Sequence, residues 1–350
     1  MSIFYKLSVK EIYQETNNSV SIIFNIPQEL QSEFKFIPGQ YITIKKELNG
    51  EEVRRAYSIC SSIESNEVKI GIKAVDKGLF SVYATTNLKV GDVLEVATPE
   101  GRFNLRPNKE HKKNYLAFTA GSGITPVLSM VKSVLEIETN SKFVLVYGNK
   151  SVDDIMFKKE IDNLQITYPN HFFVQYVFSQ YQEEDSLFGR IDTSVLNFVM
   201  NTKFKDINFD AFFLCGPEPM INTIKSNLRE KDVAQENIHF ELFSTPLDEK
   251  SEAVNLDGTT VVTVFLDDEE QSFTMSKKQT ILEVALKEGL DAPYSCQGGI
   301  CSTCLALVKE GKAVMDKNSI LTDEEINDGL ILTCQAHPLT DKITVDYDDV

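Results

Sequence analysis

The sequence predicts a multidomain chain: a small antiparallel β-barrel over residues 1–108, a doubly wound α/β domain over 109–243, a linker at 244–260, and a compact α+β domain over 261–350. Three observations carry this. Residues 20–26, 40–44 and 68–73 are short β-rich runs separated by polar turns, the spacing of a small barrel. From residue 112 onward, short apolar strands alternate with helical stretches, as in a parallel sheet. Residues 244–260 are polar, with Pro and Gly, and set the last segment apart.

The barrel's turns fall at Pro38-Gly39, Asn49-Gly50, Lys77-Gly78 and Glu100-Gly101. In the second segment, strands are expected at 115–118, 142–147, 172–177 and 211–214, with a helix over 126–138. The last segment opens with a strand at 261–266. A second strand follows around 271–275, then a helix over 280–288, then a cysteine-rich loop.

The formal net charge is −17, from 35 basic and 52 acidic residues. That argues against a general nucleic-acid binder, which needs a basic face, and against an anionic membrane surface as partner. Residues 261–350 hold 17 Asp/Glu and 7 Lys/Arg, a net of −10. An acidic surface there can steer a basic redox partner or simply keep the chain soluble. No window nears the ~20 apolar residues of a membrane helix, and the N-terminus lacks signal-peptide character, so the expected location is cytoplasmic.

Four of the six cysteines lie in the last 55 residues, in the pattern Cys296-x4-Cys301-x2-Cys304 with Cys334 following after 29 residues. Clustering of this kind in a chain without a secretion signal points to metal ligation. The spacing is the one known for plant-type [2Fe-2S] ferredoxins: three thiolates from one loop, the fourth from a distant segment. Gly298 and Gly299 let backbone N–H groups approach the sulfurs. Zinc or inert structural thiols are the alternatives. Structural zinc usually pairs two short hairpins, and only one short pair is present. The stretch Cys-Gln-Gly-Gly-Ile-Cys-Ser-Thr-Cys resembles the loop of plant-type ferredoxin domains, which implies a β-grasp fold. Gln297 stands where many of that family have Arg.

Arg55-Ala56-Tyr57-Ser58 is placed at the start of a strand. Arg suits a pyrophosphate, a Tyr ring can lie against an aromatic cofactor, and a Ser hydroxyl both donates and accepts. The segment resembles the Arg-x-Tyr-Ser signature of the ferredoxin–NADP reductase superfamily. The resemblance implies Arg55 at the phosphates of FAD, Tyr57 on the isoalloxazine or ribityl, and Ser58 near the reactive flavin nitrogen. Gly78-Leu79-Phe80-Ser81 resembles that family's second flavin motif, a turn opening a short helix, so Gly78 and Ser81 join the candidates.

Gly121-Ser122-Gly123-Ile124-Thr125-Pro126 follows a strand and precedes a helix, the context in which a glycine turn can hold a pyrophosphate. Pro126 stands where a Rossmann fingerprint has its third Gly. The stretch resembles the NAD(P) motif of the same superfamily, implying Gly121, Gly123, Thr125 and Pro126 as nucleotide contacts. Cys215-Gly216-Pro217 resembles the family's Cys-Gly-Pro motif, which implies Cys215 beside the transferring nicotinamide carbon, with Gly216 and Pro217 next to it. Without that motif, Cys215 reads as a buried core thiol. Residues 238–243 resemble a terminal strand whose acid, here Glu241, lies near the flavin and whose aromatic ring, here Phe243, covers it. No acid directly follows the second strand of this domain. Lys150, Ser179 and Arg190 lie nearby, which favours NADPH, with NADH as the alternative.

The four histidines lack ligand or triad spacing. Asp267-Asp268-Glu269-Glu270 reads as a solvated turn, and Cys60 as packing beside the flavin site. The whole order of motifs resembles the NADPH-dependent reductases that feed diiron and ring-hydroxylating oxygenases, of the phenylacetyl-CoA epoxidase reductase type. The resemblance implies an NAD(P)H-dependent oxidoreductase with FAD and a [2Fe-2S] cluster, delivering electrons to an oxygenase or similar partner protein. A redox sensor, or a general ferredoxin or flavodoxin-type reductase, is the alternative.

Overall fold

The computed structural model describes residues 3–243 and 256–350. The chain divides into two compact units, Phe4–Ser244 and Thr245–Val350 with Met1–Ile3. The first unit therefore holds both the expected barrel and the expected parallel-sheet domain.

The barrel is built from β1 (Phe4–Thr16), β2 (Ser19–Asn25), β3 (Tyr41–Leu48), β4 (Glu51–Ser58), β5 (Lys69–Lys73), helix α1 (Leu79–Thr86) and β6 (Val93–Ala97). Its six strands run in the order β4-β3-β6-β1-β2-β5. Neighbours are antiparallel, and an antiparallel bridge between Ile59 and Ile70 joins the two edges. Closure of this kind leaves no open edge strand. Arg55-Ala56-Tyr57-Ser58 sits at the end of β4 and not at its start. Residues 51–54 pair with 45–48 of β3 across the Asn49-Gly50 turn, which extends the strand backward. Ile22, Ile42, Ile44, Ile70, Ile72 and Val96 are among the side chains that fill the interior.

The second part comprises β7 (Asn114–Ala120), α2 (Ile124–Ile137), β8 (Lys142–Asn149), α3 (Lys158–Thr167), β9 (Phe172–Phe178), β10 (Leu187–Phe188), α4 (Thr193–Phe198), β11 (Ala211–Gly216), α5 (Glu218–Glu230) and β12 (Ile238–Leu242). The strand order is β10-β9-β8-β7-β11-β12, all parallel. The order reverses between β7 and β11, the position where open α/β sheets bind ligands. Helix α2 is covered along nearly its whole length: every residue from Ile124 to Leu135 is buried, Lys132 included. A helix covered all round belongs to the interior. Cys60, Phe103 and Leu105 of the barrel share one core cluster with α2 and its sheet.

The second unit holds β13 (Thr259–Leu266), β14 (Glu269–Ser276), α6 (Ile281–Lys287), β15 (Leu305–Glu310), β16 (Ala313–Met315), α7 (Asp323–Asn327), β17 (Leu330–Leu332), β18 (Ala336–Pro338) and β19 (Lys342–Asp346). The main sheet is mixed, in the order β14-β13-β19-β15-β17. The linker expected at 244–260 lies outside the described residues as far as 255. Its last two residues belong to a strand, because Thr259 and Thr260 pair with Ser276 and Met275. Asp267 and Asp268 form the expected turn, both with positive φ, while Glu269 and Glu270 already belong to β14.

Candidate functional site

Three strand ends bring together the residues expected to do chemistry. Cys215 on β11 and Glu241 on β12 are register partners, and Ser58 closes β4. Cys215 is fully buried and Ser58 is 4% exposed. Burial pushes the Glu241 carboxyl up to about 8, and the Ser58 hydroxyl, which hydrogen-bonds it, opposes that shift. Burial also raises the Cys215 thiol, and the neighbouring Glu241 adds to it. Glu241 Oε2 is covered and has no hydrogen-bond partner among the described residues. A covered carboxyl oxygen without a partner is costly, and it suits a site completed by a bound group.

The rest of the flavin candidates lie nearby in the barrel. Arg55 is exposed, and its Nη1 donates to Arg54 O. The Tyr57 ring rests on Phe80 with centroids 5.6 Å apart. Gly78 caps α1, and Ser81 in its first turn accepts from Val75 N at 3.3 Å. A Cβ on Gly78 would collide with the Ser81 hydroxyl, so the turn is tight.

A cavity of about 670 Å³ opens at the C-terminal ends of β7, β8, β9 and β11. Gly121, Gly123, Lys150, Gly216, Pro217 and Phe243 line it, as do Ser179 and Arg190. Gly121 has φ +55, in the left-handed region. A Cβ on Gly123 would run into the carbonyl of Cys215, so the glycine turn and β11 touch through bare backbone. The turn delivers the chain into α2, whose N-terminal N–H groups favour an anion. Thr125 and Pro126 are placed differently from expectation. The helix starts at Ile124, two residues earlier than expected, which carries both into its buried first turn and away from the cavity wall. Thr125 Oγ1 donates to Ser122 O at 3.0 Å and closes the turn.

Lys73, Asn149, Gln180, Asp192, Met220 and Thr223 also line the cavity and were not singled out from sequence. Lys73 comes from the barrel strand β5, so only tertiary folding brings it there. Among the described residues, Asp192 is the one carboxylate on the wall. It is already engaged as the cap of α4, accepting from Ser194 N at 2.9 Å and Val195 N at 3.0 Å.

In the second unit, Cys301 and Cys304 lie just before β15, and Cys334 lies between β17 and β18. The Cys296 thiol interacts with those of Cys301 and Cys334, and Cys304 with Cys334. Gly298 N donates to Cys296 Sγ at 3.3 Å. Gly299, at φ +70, packs where a Cβ would meet Lys317 O. Among the described residues, no group of three or more His, Cys, Asp or Glu is arranged for a single metal ion. The four thiols are near enough to influence one another, and four sulfur donors are the ligand set that a [2Fe-2S] cluster takes. Cys60 is fully buried, its Sγ on Lys69 O at 3.3 Å, and serves as core packing.

No helix among the described residues is long and apolar enough to cross a membrane. Residues 6–105 match the oxidoreductase FAD-binding domain, 118–226 the oxidoreductase NAD-binding domain, and 264–339 the 2Fe-2S iron-sulfur cluster binding domain. The chain is 38% identical to a subunit of the 1,2-phenylacetyl-CoA epoxidase of Escherichia coli (strain K12), over 99% of each. It is 32% identical to the 3-ketosteroid-9-alpha-monooxygenase ferredoxin reductase component of Rhodococcus rhodochrous, over 97% of this chain and 96% of the other. Phthalate dioxygenase reductase shares the fold, with a TM-score of 0.61 at 20% identity over 98% of both chains. With these matches, the chain is a member of the family of flavin-dependent reductase components that carry FAD-binding, NAD-binding and C-terminal 2Fe-2S domains.

Proposed function

We propose that this reductase takes a hydride from NADPH and feeds single electrons through its own cluster to an oxygenase of the phenylacetyl-CoA epoxidase type. The convergence of Ser58, Cys215 and Glu241 beside the nucleotide cavity carries the reading. The working modules are 1–108 for flavin, 109–243 for nucleotide and 261–350 for the cluster, in the cytoplasm.

FAD supplies the conversion of a two-electron donor into a one-electron source. Arg55 holds its phosphates, Tyr57 lies against the ring system, and Gly78 and Ser81 shape the second phosphate contact. Ser58 and Glu241 hold and move a proton at the reactive flavin nitrogen. Glu241 suits this because it stays protonated at neutral pH, and its covered Oε2 has no partner among the described residues. Cys215 fills the floor beside the nicotinamide, and Phe243 shields the ring from water. Gly121, Gly123, Gly216 and Pro217 bring backbone close to the dinucleotide. Thr125 and Pro126 act one step back, by fixing the turn. Cys296, Cys301, Cys304 and Cys334 hold the cluster.

NADPH is favoured over NADH because Lys150 and Arg190 line the cavity while its one carboxylate among the described residues, Asp192, is occupied as a helix cap. The deciding experiment is anaerobic addition of one equivalent of NADPH, then of NADH in a separate run, to the purified protein. Flavin and iron–sulfur absorbance should bleach together, faster with NADPH. An oxidised cluster beside a reduced flavin, or a spectrum without the iron–sulfur shoulder, would overturn the path.

A further inference from the structure

A partly buried ion network crosses from the barrel to the parallel-sheet domain. Lys132, on α2, is 8% exposed at its side chain and pairs with Glu160 Oε1 of α3 at 2.6 Å. Its Nζ also donates to Cys60 O at 2.8 Å. Glu160 Oε2 meets Lys69 of β5 at 3.5 Å, and Lys69 meets Glu15 of β1 at 3.9 Å. Glu15 in turn accepts from Phe157 N at 3.2 Å, just before α3, and from Ser21 Oγ at 2.6 Å. Two acids and two bases cancel. Burial is the largest influence on Glu160 and pushes its pKa up, yet the two lysines outweigh it and hold the carboxyl below its ordinary value.

The same helix makes three more bonds to the barrel, one of them from Ser62 Oγ to the Glu136 carboxylate. Ser129 Oγ donates to Ser61 O at 2.7 Å, and Ser133 Oγ accepts from Ile63 N at 3.3 Å. Residues 129, 132 and 133 share one helix face, by i, i+3 and i+4 spacing. Their partners, 60, 61 and 63, directly continue the strand that ends at Ser58. The N-terminus of the same helix emerges from the glycine turn on the nucleotide cavity. One buried helix therefore holds the end of the flavin strand at one place and the nucleotide turn at another.

We infer that Lys132 is a positioning residue for hydride transfer, and that its network sets the alignment of the nucleotide cavity with the flavin strand. A buried ion pair gives little net stability over apolar packing, but its directional bonds fix one relative placement. Hydride transfer needs reacting atoms at about 3–3.5 Å, and a misplacement of about 1 Å can cost on the order of 10²-fold in rate. The inference rests on the hydride-transfer reading above.

Stopped-flow reduction of the flavin in the full-length, FAD-loaded protein tests it, with NADPH and with NADPH deuterated at the transferring carbon. The double variant Lys132→Met/Glu160→Gln removes both charges and leaves no unpaired buried ion. It should keep its flavin and bind nucleotide within about 2-fold, while the limiting rate at saturating NADPH falls on the order of 10-fold and the isotope effect rises. A merely structural role would lower thermal stability without touching the limiting rate, so an unchanged rate and isotope effect overturn the inference. If the double variant loses flavin, Ser129→Ala decides: a limiting rate 2- to 3-fold down supports alignment, and a wild-type rate sinks it. A wild-type flavin that neither nucleotide reduces would overturn the functional reading itself.

Discussion

Cys215 and Glu241 face each other across adjacent parallel strands, and the hydroxyl of Ser58 reaches the same carboxyl from the barrel. The Glu241 carboxyl holds its proton to about pH 8, so a step that uses the neutral acid runs below that pH and fades above it. Wild-type turnover should show an alkaline limb near pH 8. Glu241→Gln should lose the limb and fall on the order of 10²-fold at neutral pH. The sign for stability follows from the raised value: the contribution is complete below the ordinary carboxylate range and is lost as pH rises through about 8. Thermal melts of both proteins between pH 5 and 9 check this, and the variant should show the flatter profile.

Gly123→Ala should lower stability by about 1–3 kcal/mol, because the new methyl meets the Cys215 carbonyl and backbone must shift. Differential scanning calorimetry should show this as a drop of roughly 2–10 °C. The KM for the nucleotide should rise in the same variant, since the glycine turn forms the cavity wall.

Arg55→Ala should purify with little FAD, read from the ratio of flavin to protein absorbance. The side chain is exposed and its hydrogen bond runs to Arg54 O, so the fold should survive the change. Full occupancy would remove Arg55 from the phosphate site.

Arg190→Ala should reduce the preference for NADPH over NADH on the order of 10-fold or more, the size of a hydrogen bond to a charged group. Steady-state kcat/KM with each nucleotide measures it, and NADH values should change little.

Cys304→Ser should abolish the iron–sulfur signal in electron paramagnetic resonance of the reduced protein. NADPH-dependent reduction of ferricyanide, a flavin-level acceptor, should continue, because the flavin and nucleotide residues all lie in the other compact unit.

The cysteine loop was legible because ligand spacing is a local property: three of the four thiols sit within nine residues. The strands were legible from apolar runs and glycine turns. The meeting of Ser58, Cys215 and Glu241 came from resemblance alone, since no local pattern shows that β4 ends where β11 and β12 end. Thr125 and Pro126 fall in the buried first turn because the helix begins as soon as the glycine turn closes, and Pro is tolerated there. Lys73 and Lys132 were missed for one reason. A lysine in a sequence reads as solvent-facing, and only packing of the barrel on α2 buries the second and turns the first toward the cavity.

Helix α2 bears on how such chains can be rearranged. Because the helix is wrapped along nearly its whole length and shares a core with Cys60, Phe103 and Leu105, a cut near residue 108 would lay bare apolar surface on both pieces. Recombination that exchanges flavin and nucleotide halves between relatives has to carry matched partners for that helix. A crossover placed after Phe243 leaves that shared core whole within Phe4–Ser244.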